Sequence, residues 1–327
     1  MKKVSRRDVI KVGAATIAAA PFASARAQSW PTRPIKIVVS AAPGGLTNAF
    51  ARVYGEYIST KLGQTVIVEN KPGGSGIPAA QYVKSADPDG NTLLYTNSST
   101  LLGNRVVFKT LPYDPDKDFA FISMTPSGHL PLIVHASTGA TTLKEFIDYA
   151  RNNKITAGSY GTGSFAHIVA IQLKQEFGLD LEVAQYRGEA PMWHDFLSGS
   201  IQLATGSYQA AVPAFETGKG RAIAVPSPVR MKKLPDVPTF LEQGYTAKVF
   251  QAVGWTGLLG PADMPQGRVE LLSRLMVEAG SGEAVQKMLD TFAIDEAAQD
   301  RTTFLKVYKT EGPIWIDAVK QLGIDPV

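Results

Sequence analysis

Apolar and polar positions along the chain follow two periods in turn. PIKIVV (34–39), TVIVEN (65–70) and TLLYTN (92–97) are short runs rich in β-branched residues, a composition that suits strands. Between them, AFARVYGEYISTKLG (49–63) and IPAAQYVKSA (77–86) bring apolar residues back every three or four positions, which suits helices. The resulting β-α-β-α-β order is that of a parallel sheet with crossover helices. Thr47 and Asn48, both N-cap types, precede the first helical run, and Gly63 follows it.

LPYDPDKDF (111–119) breaks this alternation as a loop, and the extended run LPLIVHA (130–136) follows it. A second series opens with the helix TLKEFIDYARNN (142–153) and continues with strand KITAGSY, helix FAHIVAIQLKQEFG, strand LEVAQY, helix APMWHDFLSGS and strands IQLATG and RAIAVPS. From Trp255 the chain offers a strand, WTGLLG, and two amphipathic helical stretches, RVELLSRLMVEAG and TTFLKVYKTEGPIWIDAVKQLG. The reading is an α/β protein of two lobes, each a mostly parallel sheet flanked by helices. The second lobe (125–248) is inserted between two parts of the first (28–124 and 249–327). A ligand cleft is expected between lobes so arranged.

The 327 residues, 44% of them hydrophobic, suffice for a core of that size. The first 27 are expected to be a twin-arginine export signal. Ser5 to Lys11 carries the paired arginines Arg6 and Arg7, Val12 to Ala20 is a short apolar stretch, and Ala25-Arg26-Ala27 is a small-x-small cleavage site before Gln28. Cleavage there changes the charge argument. The segment holds Lys2, Lys3, Arg6, Arg7, Lys11 and Arg26 against Asp8, so removing its +5 from the full-chain +4 leaves −1. The case for a nucleic-acid partner goes with it. The absence of cysteine excludes disulfides, thiolate metal sites and cysteine nucleophiles.

The candidate chemistry lies in two junctions of strand, glycine turn and helix, SAAPGGLTNAFAR (40–52) and AGSYGTGSFAHIVA (157–170). Glycines let the backbone approach a ligand closely, and the free N–H groups of a helix's first turn favour an anion. Each helix terminus contributes roughly 0.3 to 1 kcal/mol, up to ~2 when partly buried. That falls well short of the ~8 kcal/mol of a micromolar site. Direct hydrogen bonds and exclusion of water have to supply the rest.

Other readings of these turns exist. G-T-G-S-F-A (161–166) fits the G-x-G-x-x-A form of a dinucleotide-binding turn, and Glu182 lies about twenty residues beyond Gly161, where a ribose-binding acid is expected. Glu182 begins the next strand, however, whereas the ribose acid belongs at that strand's end. Ser164 and His167 share a helix face, but no orienting acid or oxyanion hole completes a hydrolytic site. His129, His135, His167 and His194 show no metal-ligand spacing.

Taken in order, PIKIVVSAAPGGLTNAFAR, QTVIVENKPGGSG, DPDGNTLLYTN, LPYDPDKDF, GTGSFAH, QYRGEAP, LPDVPTFLEQG and WTGLLGPADMP resemble the Bug-type periplasmic receptors of tripartite tricarboxylate transporters. The resemblance implies a two-lobed periplasmic-binding-protein fold, no catalysis and no cofactor, and a small organic acid delivered to integral-membrane transporter subunits. It places the ligand's carboxylate between the two turns. Carried over position by position, Pro43, Gly44, Gly45 and Thr47 would come from one lobe, and Ser159, Gly161, Thr162, Gly163, Ser164 and His167 from the other; the residues themselves add Leu46 and Phe165, inside or beside the turns, as apolar surface, with Asn48 next to them. Thr96, Ser98 and Ser99 would line the same cleft. From the residues themselves, Glu189 could meet a ligand amine, although Arg187 two positions earlier would neutralise it or itself reach a second carboxylate. Where relatives commonly have Ser-Thr-Asp after Pro-Gly-Gly, this chain has Leu46-Thr47-Asn48. Where they often have Asp-Asn after IQLATG's strand, it has Gly206-Ser207. These departures remove negative charge, so a carboxylate without an amino group, with an aromatic or longer apolar body, is expected. The alternative reading is an exported cofactor-dependent enzyme using the GTGSFA turn.

Overall fold

The computed structural model describes residues 30–251, 254–321 and 323–326. The export signal read from residues 1–27 lies outside them. From Arg33 onward the chain forms one compact unit built on two five-stranded sheets. The strands are β1 (Ile35–Val39), β2 (Val66–Asn70), β3 (Thr92–Asn97), β4 (Phe119–Pro126), β5 (Leu132–His135), β6 (Ile155–Ser159), β7 (Leu181–Gln185), β8 (Leu203–Thr205), β9 (Gly220–Ala224) and β10 (Trp255–Pro261). The helices are α1 (Leu46–Leu62), α2 (Ile77–Lys84), α3 (Asn104–Val107), α4 (Leu143–Ala150), α5 (Phe165–Phe177), α6 (Glu189–Ser198), α7 (Tyr208–Glu216), α8 (Gln266–Ala279), α9 (Glu283–Phe292) and α10 (Arg301–Lys320).

The first sheet has the order β2-β1-β3-β10-β4 and the second β7-β6-β8-β5-β9. The pairings β1–β2, β1–β3, β6–β7 and β6–β8 are parallel. β10 runs antiparallel to both β3 and β4, and β5 antiparallel to both β8 and β9. Each sheet therefore has one reversed strand beside its last. The chain passes between sheets after Pro126 and again after Ala224. The two passages touch, since the Ser127 N–H donates to the Gly254 carbonyl at 2.9 Å.

Local sequence explains most of these elements. Phe50, Tyr54 and Ile58 of α1 recur at helical spacing and are buried, and Gly63 closes the helix at φ 63°, a backbone that favours glycine. Thr142 caps α4 and Asp300 caps α10 by accepting the N–H three residues on. α10 packs Phe304 and Tyr308 against Phe121 of β4 and Trp255 of β10, and sets the Trp315 ring beside Gly103. A Cβ on Gly257 of β10 would lie 2.6 Å from the Phe304 ring, so glycine there makes room for the aromatic.

The structure also holds elements that periodicity did not reveal. Phe119 to Pro126 is a strand rather than the end of a loop, and α3, α7 and α9 form where no helix was expected. Pro213 inside α7 masks its helical pattern. A π-helical turn, Ser99–Gly103, leads from β3 into α3.

Candidate functional site

Loops at the carboxyl ends of β1, β2, β3, β6 and β7 converge on a cavity of about 400 Å³, closed at the back by Ser127, Leu130, Gly254 and Thr256. Both sheets and both connecting passages therefore contribute to its wall.

The loop after β1 supplies Ser40, Ala41, Ala42, Gly45, Leu46 and Thr47. Gly44 turns the chain at φ 95°, and Gly45 is the N-cap of α1 with no side chain to offer the helix. The first-turn N–H groups of α1 thus lack a side-chain cap. Pro43 and Gly44 are exposed on the outside of this turn and do not line the cavity. Asn48 faces away from it: its Nδ2 donates to Asn70 Oδ1 at 3.0 Å, and Asn70 in turn donates to the Ala41 carbonyl at 2.7 Å. Asn48 therefore holds the loop in place.

The loop after β6 is built differently. Ser164 is the N-cap of α5 and accepts from the His167 N–H at 3.3 Å. Burial raises the pKa of the Tyr160 hydroxyl beside this cap. The start of α5 thus has a side-chain cap, unlike that of α1. Tyr160, Gly161, Thr162, Ser164 and Phe165 line the cavity. Ser159, Gly163 and His167 do not. Ser159 is fully buried and donates to the Gly161 carbonyl at 2.8 Å. His167 is buried and its Nδ1 accepts the Gly163 N–H at 3.1 Å, which fixes the turn. Burial lowers the His167 pKa and keeps the ring neutral as that acceptor.

After β3, Ser98 and Ser99 line the cavity together with Asn97 and Thr100. Thr96 is fully buried beneath them, sharing a hydrogen bond with Ser40 at 2.8 Å. The loop after β2, quoted above only among the stretches that carry the resemblance, supplies Pro72 through Gly76. Gly73, Gly74, Ser75 and Gly76 all have positive φ, at 95°, 50°, 51° and 85°. Three glycines in that run are intelligible, because such backbone suits glycine. Ser75 adopts it as well, with its carbonyl fixed by Thr100 and Asn104 and its hydroxyl donating across the cleft to the Thr162 carbonyl at 2.6 Å. The PGGSG run at the end of a strand was the signal available in the sequence.

The loop after β7 brings Gln185, Tyr186, Arg187, Gly188 and Glu189 to the wall. Gly188 has φ 118° and packs on Ala42 of the other lobe, 3.1 Å from where a Cβ would sit. Glu189 accepts from both the N–H (3.1 Å) and the hydroxyl of Ser207, the N-cap of α7. Burial pushes its carboxyl up and these bonds hold it down. Gly206, just before, must be small, since a Cβ would lie 3.0 Å from the Trp193 indole.

A cleft between two α/β lobes, walled by strand-end loops and hydroxyl side chains, defines a two-lobed binding protein. The family model described as "Tripartite tricarboxylate transporter family receptor" matches residues 50–324. A UPF0065 protein of Bordetella bronchiseptica is 30% identical over 88% of this chain and 86% of its own length. A solved R. palustris protein with adipate is 28% identical, covers 91% of this chain and 100% of its own, and superposes with a TM-score of 0.84. MatC of Rhodopseudomonas palustris with bound malate is 28% identical over 88% of this chain and 99% of its own, with a TM-score of 0.78. The chain belongs to the tripartite tricarboxylate transporter receptor family and is a solute-binding receptor. No helix among the described residues is long and apolar enough to cross a membrane.

Proposed function

We propose that the protein is a periplasmic receptor that captures a small organic carboxylate in the 400 Å³ cavity and delivers it to integral-membrane transporter subunits. The observation that carries this reading is the contrast between the two turns. The α1 terminus, capped only by Gly45, opens its N–H groups to the cavity loop, while Thr162 and Ser164 face it from the other lobe. The carboxylate sits at α1, and the turn before α5 offers the Thr162 and Ser164 hydroxyls on the facing wall. Leu46, Phe108, Leu130 and Phe165 give the same wall an apolar side for the body of the ligand. Carboxylates bound in two relatives of the same fold agree with this class of ligand.

The enzyme alternative fits the geometry less well. Ser164 already caps α5 from within the turn by taking the His167 N–H at 3.3 Å, so its hydroxyl is committed to the helix start. Glu182 is the second residue of β7, at the strand's start, and pairs with Lys154 at 2.7 Å. No cofactor role follows from either residue. Thermal-shift screening against a library of organic acids, followed by calorimetry, tests the proposal. An acid at one hundred times its Kd adds about 2.7 kcal/mol to folded-state stability. A library of mono-, di- and tricarboxylates that produced no shift would refute it.

A further inference from the structure

Resting on the carboxylate reading above, the charges in the cavity wall carry it one step further. Arg187 is the one cationic side chain in that wall, and Glu189 the one anionic, among the described residues. They stand in opposite situations. Both Glu189 oxygens are engaged by Ser207, eighteen positions along the chain, so the carboxylate is spent on holding the start of α7. Arg187 forms no ion pair or hydrogen bond with another described residue. Its backbone is nevertheless held firmly. The Tyr186 N–H donates to the Ser159 carbonyl at 2.7 Å, the Gly188 N–H to the Tyr160 carbonyl at 3.1 Å, and the Tyr186 hydroxyl to Asp195 at 2.8 Å. An exposed guanidinium on a firmly held backbone, at a cavity wall otherwise neutral or self-satisfied, lacks its counter-charge.

We propose that Arg187 is a specificity-determining residue that selects ligands carrying a second negative charge beyond their apolar body, and that the cavity has no anionic group free to accept an ammonium. The ligand class is a dicarboxylate with an apolar spacer and no amino substituent. One carboxylate lies at α1, the spacer against Leu46 and Phe165, and the second carboxylate at the guanidinium. The charge-assisted, two-pronged bond that arginine makes with a carboxylate is the source of the discrimination.

The test is calorimetry on the wild-type protein and on Arg187→Gln and Arg187→Lys. The probes are α,ω-dicarboxylates of four to eight carbons, terephthalate, the matched monocarboxylates and 2-aminoadipate. Wild type is expected to bind its best dicarboxylate at least about tenfold more tightly than the matched monocarboxylate. Arg187→Gln should remove that ratio while changing monocarboxylate affinity by less than about threefold, and Arg187→Lys should restore part of it. Equal binding of the matched pair by wild type, discrimination that survives Arg187→Gln, or tighter binding of 2-aminoadipate than of adipate overturns the assignment and leaves the receptor reading intact. Failure of every probe to bind wild type brings down both.

Discussion

Ser75 and Thr162, which belong to different lobes, are joined by a 2.6 Å hydrogen bond from the serine hydroxyl to the threonine carbonyl. Beside it the two backbones meet. A Cβ on Gly103 would sit 2.7 Å from the Gly163 carbonyl, and one on Gly163 would sit 2.8 Å from Val107. Closure of the cleft therefore rests partly on protein–protein contacts at positions where side chains are small or missing. Ser75→Ala removes a bond worth about 0.5 to 1.5 kcal/mol, so ligand affinity should fall roughly two- to tenfold, chiefly through faster release. Stopped-flow dissociation rates check this, and the melting temperature without ligand should barely move.

Gly45→Asp and Gly163→Asp should both abolish binding, by different routes. At Gly45 nothing lies within 4 Å of an added Cβ and φ is −92°, so aspartate fits and caps α1 itself. It occupies the N–H groups assigned to the ligand, and its stability should equal or exceed wild type. At Gly163, with φ 70° and Val107 in the way, aspartate strains the turn and forces α3 off it. That variant should lose about 1–3 kcal/mol in denaturant melts as well as its affinity.

His167 makes the protein sensitive to acid. Its folded pKa lies below the ordinary 6.5 because burial opposes the charge, so the unfolded chain binds the proton more readily. Stability is unaffected by this group above 6.5 and is lost as the pH falls from there towards the folded pKa. Protonation also destroys the acceptor for the Gly163 N–H. His167→Asn keeps an acceptor that does not titrate, so its melting temperature should decline less than that of wild type between about pH 6.5 and 5. Parallel declines would remove His167 as the cause.

Phe304 is fully buried between Phe121 and Trp255, with ring centroids 4.9 and 4.8 Å away. Phe304→Ala should cost about 3–5 kcal/mol in urea denaturation. It touches no wall of the cavity, so ligand should restore stability by mass action and bind the folded fraction normally.

The twin-arginine reading of residues 1–27 predicts mature protein beginning near Gln28 and its loss from the periplasm in an Arg6→Lys, Arg7→Lys double variant. Intact-mass measurement of periplasmic material decides this, and retention of residues 1–27 would exclude cleavage there.

Much of the fold was legible because its strands are β-branched runs and its helices carry clear apolar stripes and glycine stops, as at Gly63 and Gly178. The reversed direction of β10 was not, because pairing direction depends on partners more than a hundred residues away. Of the site, Gly45, Thr47, Gly161 and Thr162 follow from glycine turns at strand ends. Asn48 and His167 share those turns, yet spend their polar groups on Asn70 and Gly163, and motif spacing cannot distinguish the two uses. Glu189 stood beside Arg187 in sequence and invited a pairing. Its actual partner, Ser207, comes from the far side of α6 and β8.

The place of β10 also bears on the order in which the molecule assembles. β4 has no neighbour in its sheet except β10, and the inner edge of β3 is covered by the same strand. A growing chain that has emerged only as far as Pro126 therefore carries two unpaired strand edges, and they stay unpaired until Trp255–Pro261 has been made. The strands of the second sheet, in contrast, all lie within the continuous stretch from Leu132 to Ala224. The lobe synthesised second is the one able to finish first, and the lobe synthesised first must wait for the chain to return.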